Sequence, residues 1–157
     1  MQEVVQIQKR NGFNVLIVEG VSFFFSTSQE NVERFILIAE KLEQTLESIQ
    51  LKYEKPLIKV TNKLKDKPEL DSELFSEKIR LEVAFAREVY DMVLGVGVFD
   101  ELYTKIREVE FWTMNLEAIC NSISLGIEKD FKIREKKANN TRNKYLSKKK
   151  KKRNRRY

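Results

Sequence analysis

The sequence predicts an α+β domain in which an N-terminal three-stranded antiparallel meander precedes three to four helices and a basic C-terminal tail. Alternating β-branched and aromatic residues fill the first 25 positions, which is typical of strands. Apolar residues later recur at steps of three and four, the spacing of a helix that buries one face. All Asp and Glu residues precede position 141. We therefore divide the chain into a body, residues 1–140, and a polybasic tail, residues 141–157.

Two turn signals separate the three predicted strands. Asn11-Gly12 tolerates the positive φ that a two-residue type I′ hairpin requires, and Glu19-Gly20 repeats this signal. The predicted strands are Val4–Ile7, Phe13–Val18 and Val21–Phe25. A sheet this small is not stable alone, so we expect a helix or another subunit to cover one of its faces.

A first helix is predicted after Thr27, which forms a capping box with Glu30. Its apolar residues follow gaps of three and four, as in a coiled-coil seam: Val32, Phe35, Ala39, Leu42, Leu46, Ile49 and Tyr53. This seam either packs against the sheet and a later helix, which we favour, or pairs with a second copy. Leu42 and Leu46 are the candidate partner-binding residues.

Pro56 and Pro68 bracket a lysine-rich connector. Because proline lacks an amide donor and restricts the residue before it, we predict a surface loop or a short helix here. Asp71 and Ser72 are suited to cap a second long helix. This helix runs to about Leu94 and is apolar on several sides, so it is predicted to be the central helix.

Gly95 is predicted to end the second long helix, and Asp100 to cap a following short one. No strand precedes Gly95 and Gly97 and no Lys-Ser/Thr follows them, so they serve backbone geometry rather than phosphate binding. A last helix carries an apolar stripe through Cys120, which predicts an inert core thiol. Gly126 in this helix indicates a bend or a close contact.

The composition argues against an enzyme. The chain has no histidine, which excludes Ser-His-Asp triads and imidazole metal sites, and it has no CxxC, GxGxxG or Walker-type motif. We predict no catalytic, cofactor-binding or metal-binding residues. A lone cysteine, no signal-peptide pattern and no run of about 18 apolar residues together predict a cytoplasmic protein without a membrane partner.

The tail is the segment whose chemistry demands a partner. Residues 141–157 hold ten Lys or Arg, whereas the body holds twenty cations and twenty-four acids, a net charge of −4. Dense like charges stay solvated until a partner neutralises them. The partner would be a polyanion, namely a nucleic acid, an acidic protein face or an anionic membrane, and binding to nucleic acid would be sequence-independent and salt-sensitive. A solubilising terminus without a specific role is the alternative. The candidate polyanion-binding residues are Lys148, Lys149, Lys150, Lys151, Lys152, Arg153, Arg155 and Arg156.

An aromatic-Asp-x-hydrophobic-Leu-Gly-x-Gly turn follows the central helix, and an Asn-Arg-Arg ending closes the chain. The matching residues are Val21–Phe25, Tyr90, Asp91, Leu94, Gly95, Gly97, Leu102, Tyr103, Tyr145, Asn154, Arg155 and Arg156. In this order of features the chain resembles a family of small proteins encoded among the tail genes of Firmicute phages and prophages. That family is regarded as tail assembly chaperone-like.

The resemblance implies a non-enzymatic protein, expected to be an oligomer, that binds the tape measure or tail tube protein while a phage tail is built. A helical tape measure chain exposes apolar stripes that a companion with a helical seam would cover. The alternative is a small phage-borne protein that binds nucleic acid or a host nucleoprotein through residues 141–157, for example an inhibitor of a host defence complex.

Overall fold

The computed structural model describes residues 11–67 and 69–154, with side chains through Lys149. Two strands, β1 (Gly12–Val18) and β2 (Val21–Ser26), form an antiparallel hairpin. Five helices follow: α1 (Gln29–Glu40), α2 (Leu42–Lys65), α3 (Ser72–Leu94), α4 (Val98–Lys105) and α5 (Val109–Asn154).

The predicted three-stranded meander with three to four helices is therefore wrong: the described residues form a two-stranded hairpin and five helices, although the fold is still α+β. The first predicted strand, Val4–Ile7, lies outside the described residues. Gly12 explains the error, because it pairs with Ser26 inside β1 and does not have the positive φ of a type I′ turn. The turn at Glu19-Gly20 lies where it was predicted, but only Gly20 has a positive φ, of 80°, so it is not the predicted type I′ turn.

Close packing, rather than turn geometry, requires glycine at position 12. A Cβ there would lie 2.3 Å from the Phe24 ring and 2.4 Å from the Phe25 carbonyl oxygen. Successive side chains of the hairpin point to opposite faces, as in any strand. Val15 and Phe25 are buried in the core, whereas Leu16 and Phe24 on the outer face are 70% and 45% exposed.

The fifth helix arises because the predicted first helix is divided at Lys41, whose φ of −108° and ψ of 14° end α1 and begin α2. The cap also differs from the prediction. Ser28, not Thr27, accepts a hydrogen bond from the Asn31 amide at 3.3 Å. Thr27 is buried, and its hydroxyl accepts a hydrogen bond from Arg134 instead.

The predicted connector is also helical, because Pro56 lies inside α2. Proline in a helix interior removes one hydrogen bond and costs about 3 kcal/mol. Burial opposes this cost, since α2 packs along α3 and the connector contributes Val60, which is only 4% exposed. The local signal predicted a surface loop or a short helix, and tertiary packing instead makes the connector part of the long helix α2.

Helix α3 is the central element, as predicted, since it contacts α1, α2, α4 and α5. Asp71 caps it as expected, accepting hydrogen bonds from the Glu73 and Leu74 amides at 3.0 and 3.1 Å. At its other end the core is aromatic. Tyr90 donates a hydrogen bond from its hydroxyl to the Trp112 carbonyl, and the indole of Trp112 donates to the Ile106 carbonyl at 2.8 Å.

The two-glycine turn between α3 and α4 serves backbone geometry, as predicted, with φ values of 118° at Gly95 and 87° at Gly97. The cap of α4 was predicted wrongly. The Asp91 carboxylate accepts a hydrogen bond from the Phe99 amide at 3.4 Å. Asp100 lies inside the first turn of α4, and its carboxylate accepts a hydrogen bond from the Arg87 Nε at 2.8 Å. A carboxylate from the preceding helix thus replaces the expected local cap.

Candidate polyanion-binding helix

Helix α5 consists of a buried half and an exposed half without a break between them. Trp112, Ile119, Ile123 and Ile127 of the first half are buried in the core. The helix then continues through the predicted body–tail boundary to Asn154. At 1.5 Å per residue its 46 residues extend for about 69 Å.

Arg134 attaches the middle of α5 to the start of α1. Its Nη2 donates to the hydroxyl of buried Thr27 and, at 3.3 Å, to the Thr27 carbonyl oxygen. Its Nε lies 3.0 Å from a carboxylate oxygen of Asp130, an ion pair whose alignment falls short of a hydrogen bond. Sequence reasoning missed Arg134, because a cation in a polar helical stretch resembles its solvated neighbours.

Beyond Arg134 the helix leaves the body. Every residue from 135 to 149 is exposed. Glu135 is the last acidic residue, and twelve Lys or Arg follow it without a single Asp or Glu. We call the described part of this segment, residues 136–154, the basic extension. Its charge therefore begins where the helix departs from the body, five residues before the predicted boundary at 141.

The cations of the basic extension occupy backbone positions all around the helix. Successive helical residues are rotated by about 100°, so the backbone positions of the six consecutive cations at 148–153 are distributed around the helix axis. Lys148 and Lys149 are exposed. Lys150, Lys151, Lys152 and Arg153 continue the α5 backbone, and Arg155 and Arg156 lie outside the described residues.

Leu42 and Leu46, the predicted partner-binding residues, lie in α2 and are half-buried. Leu42 packs against the core. Leu46 lines a cavity of about 200 Å³ between α2, α3 and α5. The fold therefore keeps both residues apart from the basic extension, at the opposite end of α5.

The buried ionisable groups show no sign of activation. Cys120 is buried, as predicted, and desolvation, aided by the negative charge of Glu117, raises the pKa of its thiol. Burial likewise raises the pKa of the Tyr90 hydroxyl. Both groups stay protonated at neutral pH, which suits side chains that pack and donate hydrogen bonds.

No protein-family model, curated protein or solved structure matches the chain. Among the described residues, no helix is both long enough and apolar enough to cross a membrane. The fold exposes two candidate binding surfaces, the basic extension and the apolar side chains on the surface of the body.

Proposed function

We propose that the chain is a non-enzymatic binding protein whose basic extension docks onto duplex nucleic acid. One observation carries this proposal: a helix exposed from residue 135 to residue 149 projects from an acidic body, and between residue 136 and its end at Asn154 its sequence has ten cations and no carboxylate. A net charge of −4 on residues 1–140 repels phosphates, so contact is confined to the extension.

A duplex suits this helix better than a membrane surface does. The major groove is about 12 Å wide and admits one α-helix between two phosphate strands, so cations on two opposite flanks of the helix can each contact a phosphate strand. A helix that lies on a membrane needs an apolar face. The side chains of Tyr145 and Leu146 are the only large apolar ones between residues 136 and 154.

Binding of this kind depends steeply on salt. Each neutralised phosphate contributes about −0.9 to the slope of log K against log salt, so six contacts reduce affinity about a thousandfold between 50 and 200 mM. The lysine run Lys148–Lys152 alone supplies five such cations.

The test is a titration of a labelled duplex of about 20 base pairs with the full chain at about 50 to 300 mM salt. Neutralising Lys148–Lys152 with glutamine is expected to reduce affinity at least about a hundredfold at low salt and to flatten the salt slope by four or five, roughly one for each lost contact. The matched control removes five exposed lysines from the α2 region: Lys55, Lys59, Lys63, Lys65 and Lys67. Equal losses in both variants, or no duplex binding at low salt, would refute the proposal.

A second candidate function is that of a tail assembly protein that binds the tape measure or tail tube protein. Besides the resemblance, apolar side chains exposed on the body favour it, namely Leu16 and Phe24 on the hairpin and Ile36 and Leu37 on α1. In this role, deleting residues 141–157 preserves partner binding, whereas Leu16→Asp with Phe24→Asp abolishes it. The opposite pattern returns the function to the extension. Under either role we place the protein in the cytoplasm of a bacterial host.

A further inference from the structure

Two separate cavities lie on one side of the buried half of α5, and we call them together the trough. At one end it is a cavity of about 200 Å³ with Leu46, Phe85 and Leu116 in its lining and Gln50 and Thr113 beside them. Three helical turns further on it is an open groove of about 430 Å³ between α1 and α5, lined by Ile36, Glu40, Ser124 and Ile127. Ser124 and Ile127 follow Thr113 and Leu116 by eleven residues, so both cavities lie on the same side of α5.

The trough has acidic rims. Glu43 and Glu47 share a helical stripe with Gln50 on α2, and Glu110 and Glu117 share one with Thr113 on α5. Together with Glu40, which itself lines the groove, all these carboxylates are exposed. None of them forms an ion pair with a described side chain. An apolar floor between unpaired carboxylates suits a basic amphipathic helix.

The chain itself carries such a helix. Phe131, Ala138 and Tyr145 lie seven residues apart on α5 and so share one stripe. The side chains of Phe131 and Tyr145 are 49% and 65% exposed. Arg142 and Lys149 lie four residues after Ala138 and Tyr145, within this stripe and with no carboxylate after Glu135 to neutralise them.

We infer that the trough receives the α5 helix of a second copy of the chain, in antiparallel orientation. A parallel pairing would set one basic extension against the other, whereas the antiparallel one sets each basic extension against the acidic rims of its partner. Phe131 follows Thr113 by eighteen residues and precedes Lys149 by eighteen. If Phe131 meets its copy, Lys149 therefore reaches Thr113 and the carboxylates beside it.

The contact forms only between two molecules. Leu116 and Tyr145 are 29 residues apart on one continuous helix, a separation of about 44 Å, so the extension does not reach its own trough. Because the same two surfaces meet in both directions, the pairing closes as a two-fold dimer rather than growing into a chain.

Sedimentation of the full chain tests the dimer. At about 50 mM salt it is expected to dimerise, and at about 500 mM, where charges are screened over a few ångströms, to dissociate. Phe131→Asp and Tyr145→Asp should each raise the dissociation constant at least about tenfold. Leu125→Asp is the matched control, since this leucine of α5 is 59% exposed but is rotated by about 120° from the Phe131 stripe.

Crosslinking tests the register. Phe131→Cys is expected to give a covalent dimer with a short thiol-specific crosslinker, and Leu125→Cys is expected to give none, while the native Cys120 is buried. A full chain that stays monomeric at low salt, or equal crosslinking at both positions, overturns the inference. Duplex binding by the monomer is unaffected by that outcome, so the two proposals fail separately.

Discussion

The two halves of α5 are one helix held by different forces. Between Val109 and Ile127 the helix exists because its apolar stripe is buried against α3, α4 and the hairpin. From residue 136 to residue 149, the last with a described side chain, no buried side chain supports it, and only local propensity and solvation remain. The buried half contributes most to stability, and the exposed half is available for binding. The two are adjacent in sequence, with Arg134 between them.

The largest contrast is expected from removing one aromatic side chain in each half. Trp112→Ala deletes a fully buried indole and should lower the free energy of unfolding by about 3–5 kcal/mol. Tyr145→Ala, at an exposed position, should change it by less than about 0.5 kcal/mol at about 500 mM salt, where the chain is expected to be monomeric. Urea unfolding of both variants is measured by circular dichroism. Tryptophan fluorescence serves only for Tyr145→Ala, because Trp112 is the one tryptophan of the chain. Similar losses in the two variants would mean that the extension also packs on the body.

A smaller loss is expected at Gly126, in the buried half. A Cβ there would lie 2.2 Å from the Phe13 ring of β1, so Gly126→Ala forces the hairpin away from α5. Overpacking of this kind costs about 1–3 kcal/mol. The matched control is the same glycine-to-alanine change at the exposed position 138, measured by comparing Ala138→Gly with the native chain. A Cβ is tolerated there and favours the helix by about 1 kcal/mol. A neutral Gly126→Ala would contradict the close approach.

Gly126 also shows how much of the fold the sequence predicts. From the sequence this glycine was predicted to mark either a bend or a close contact, and the structure shows a close contact with Phe13. Some signals that act within one turn of chain were predicted correctly, namely the Asp71 cap and the position of the Gly20 turn. The caps predicted at Thr27 and Asp100 were wrong.

Features that depend on distant residues were not predictable. Gly12 is explained by Phe24 and Phe25 across the hairpin, and the helical conformation of Pro56 by packing of α2 on α3. Of the candidate site, the charge was predictable from composition. The helical continuity of the extension was not, because one continuous helix and a disordered tail share the same charge pattern.

A loss of about 1–2 kcal/mol is expected at the junction of the two halves. Arg134→Gln removes a charged donor from the hydroxyl and carbonyl of buried Thr27, and charge-assisted hydrogen bonds contribute about 1.5–3 kcal/mol, less where water reaches the pair. Lys132→Gln is the control, since Lys132 meets Glu128 on an exposed surface. Equal stability of the two variants would show that Arg134 does not fasten the helix. Thermal unfolding provides the measurement.

The smallest effect is expected within the basic extension. Asn139, Asn140 and Asn143 are poor helix formers at exposed positions. Replacing Asn139 and Asn143 with alanine should favour the helix by about 0.5 kcal/mol at each position. At about 500 mM salt, where the chain is expected to be monomeric, the described side chains of the extension share no buried contact with the body, so helicity at 222 nm should rise while the unfolding midpoint of the body stays constant. The same pair should bind a duplex more tightly, since less ordering accompanies binding. A midpoint that rises together with the helicity would join the two halves into one cooperative unit and remove the distinction between them.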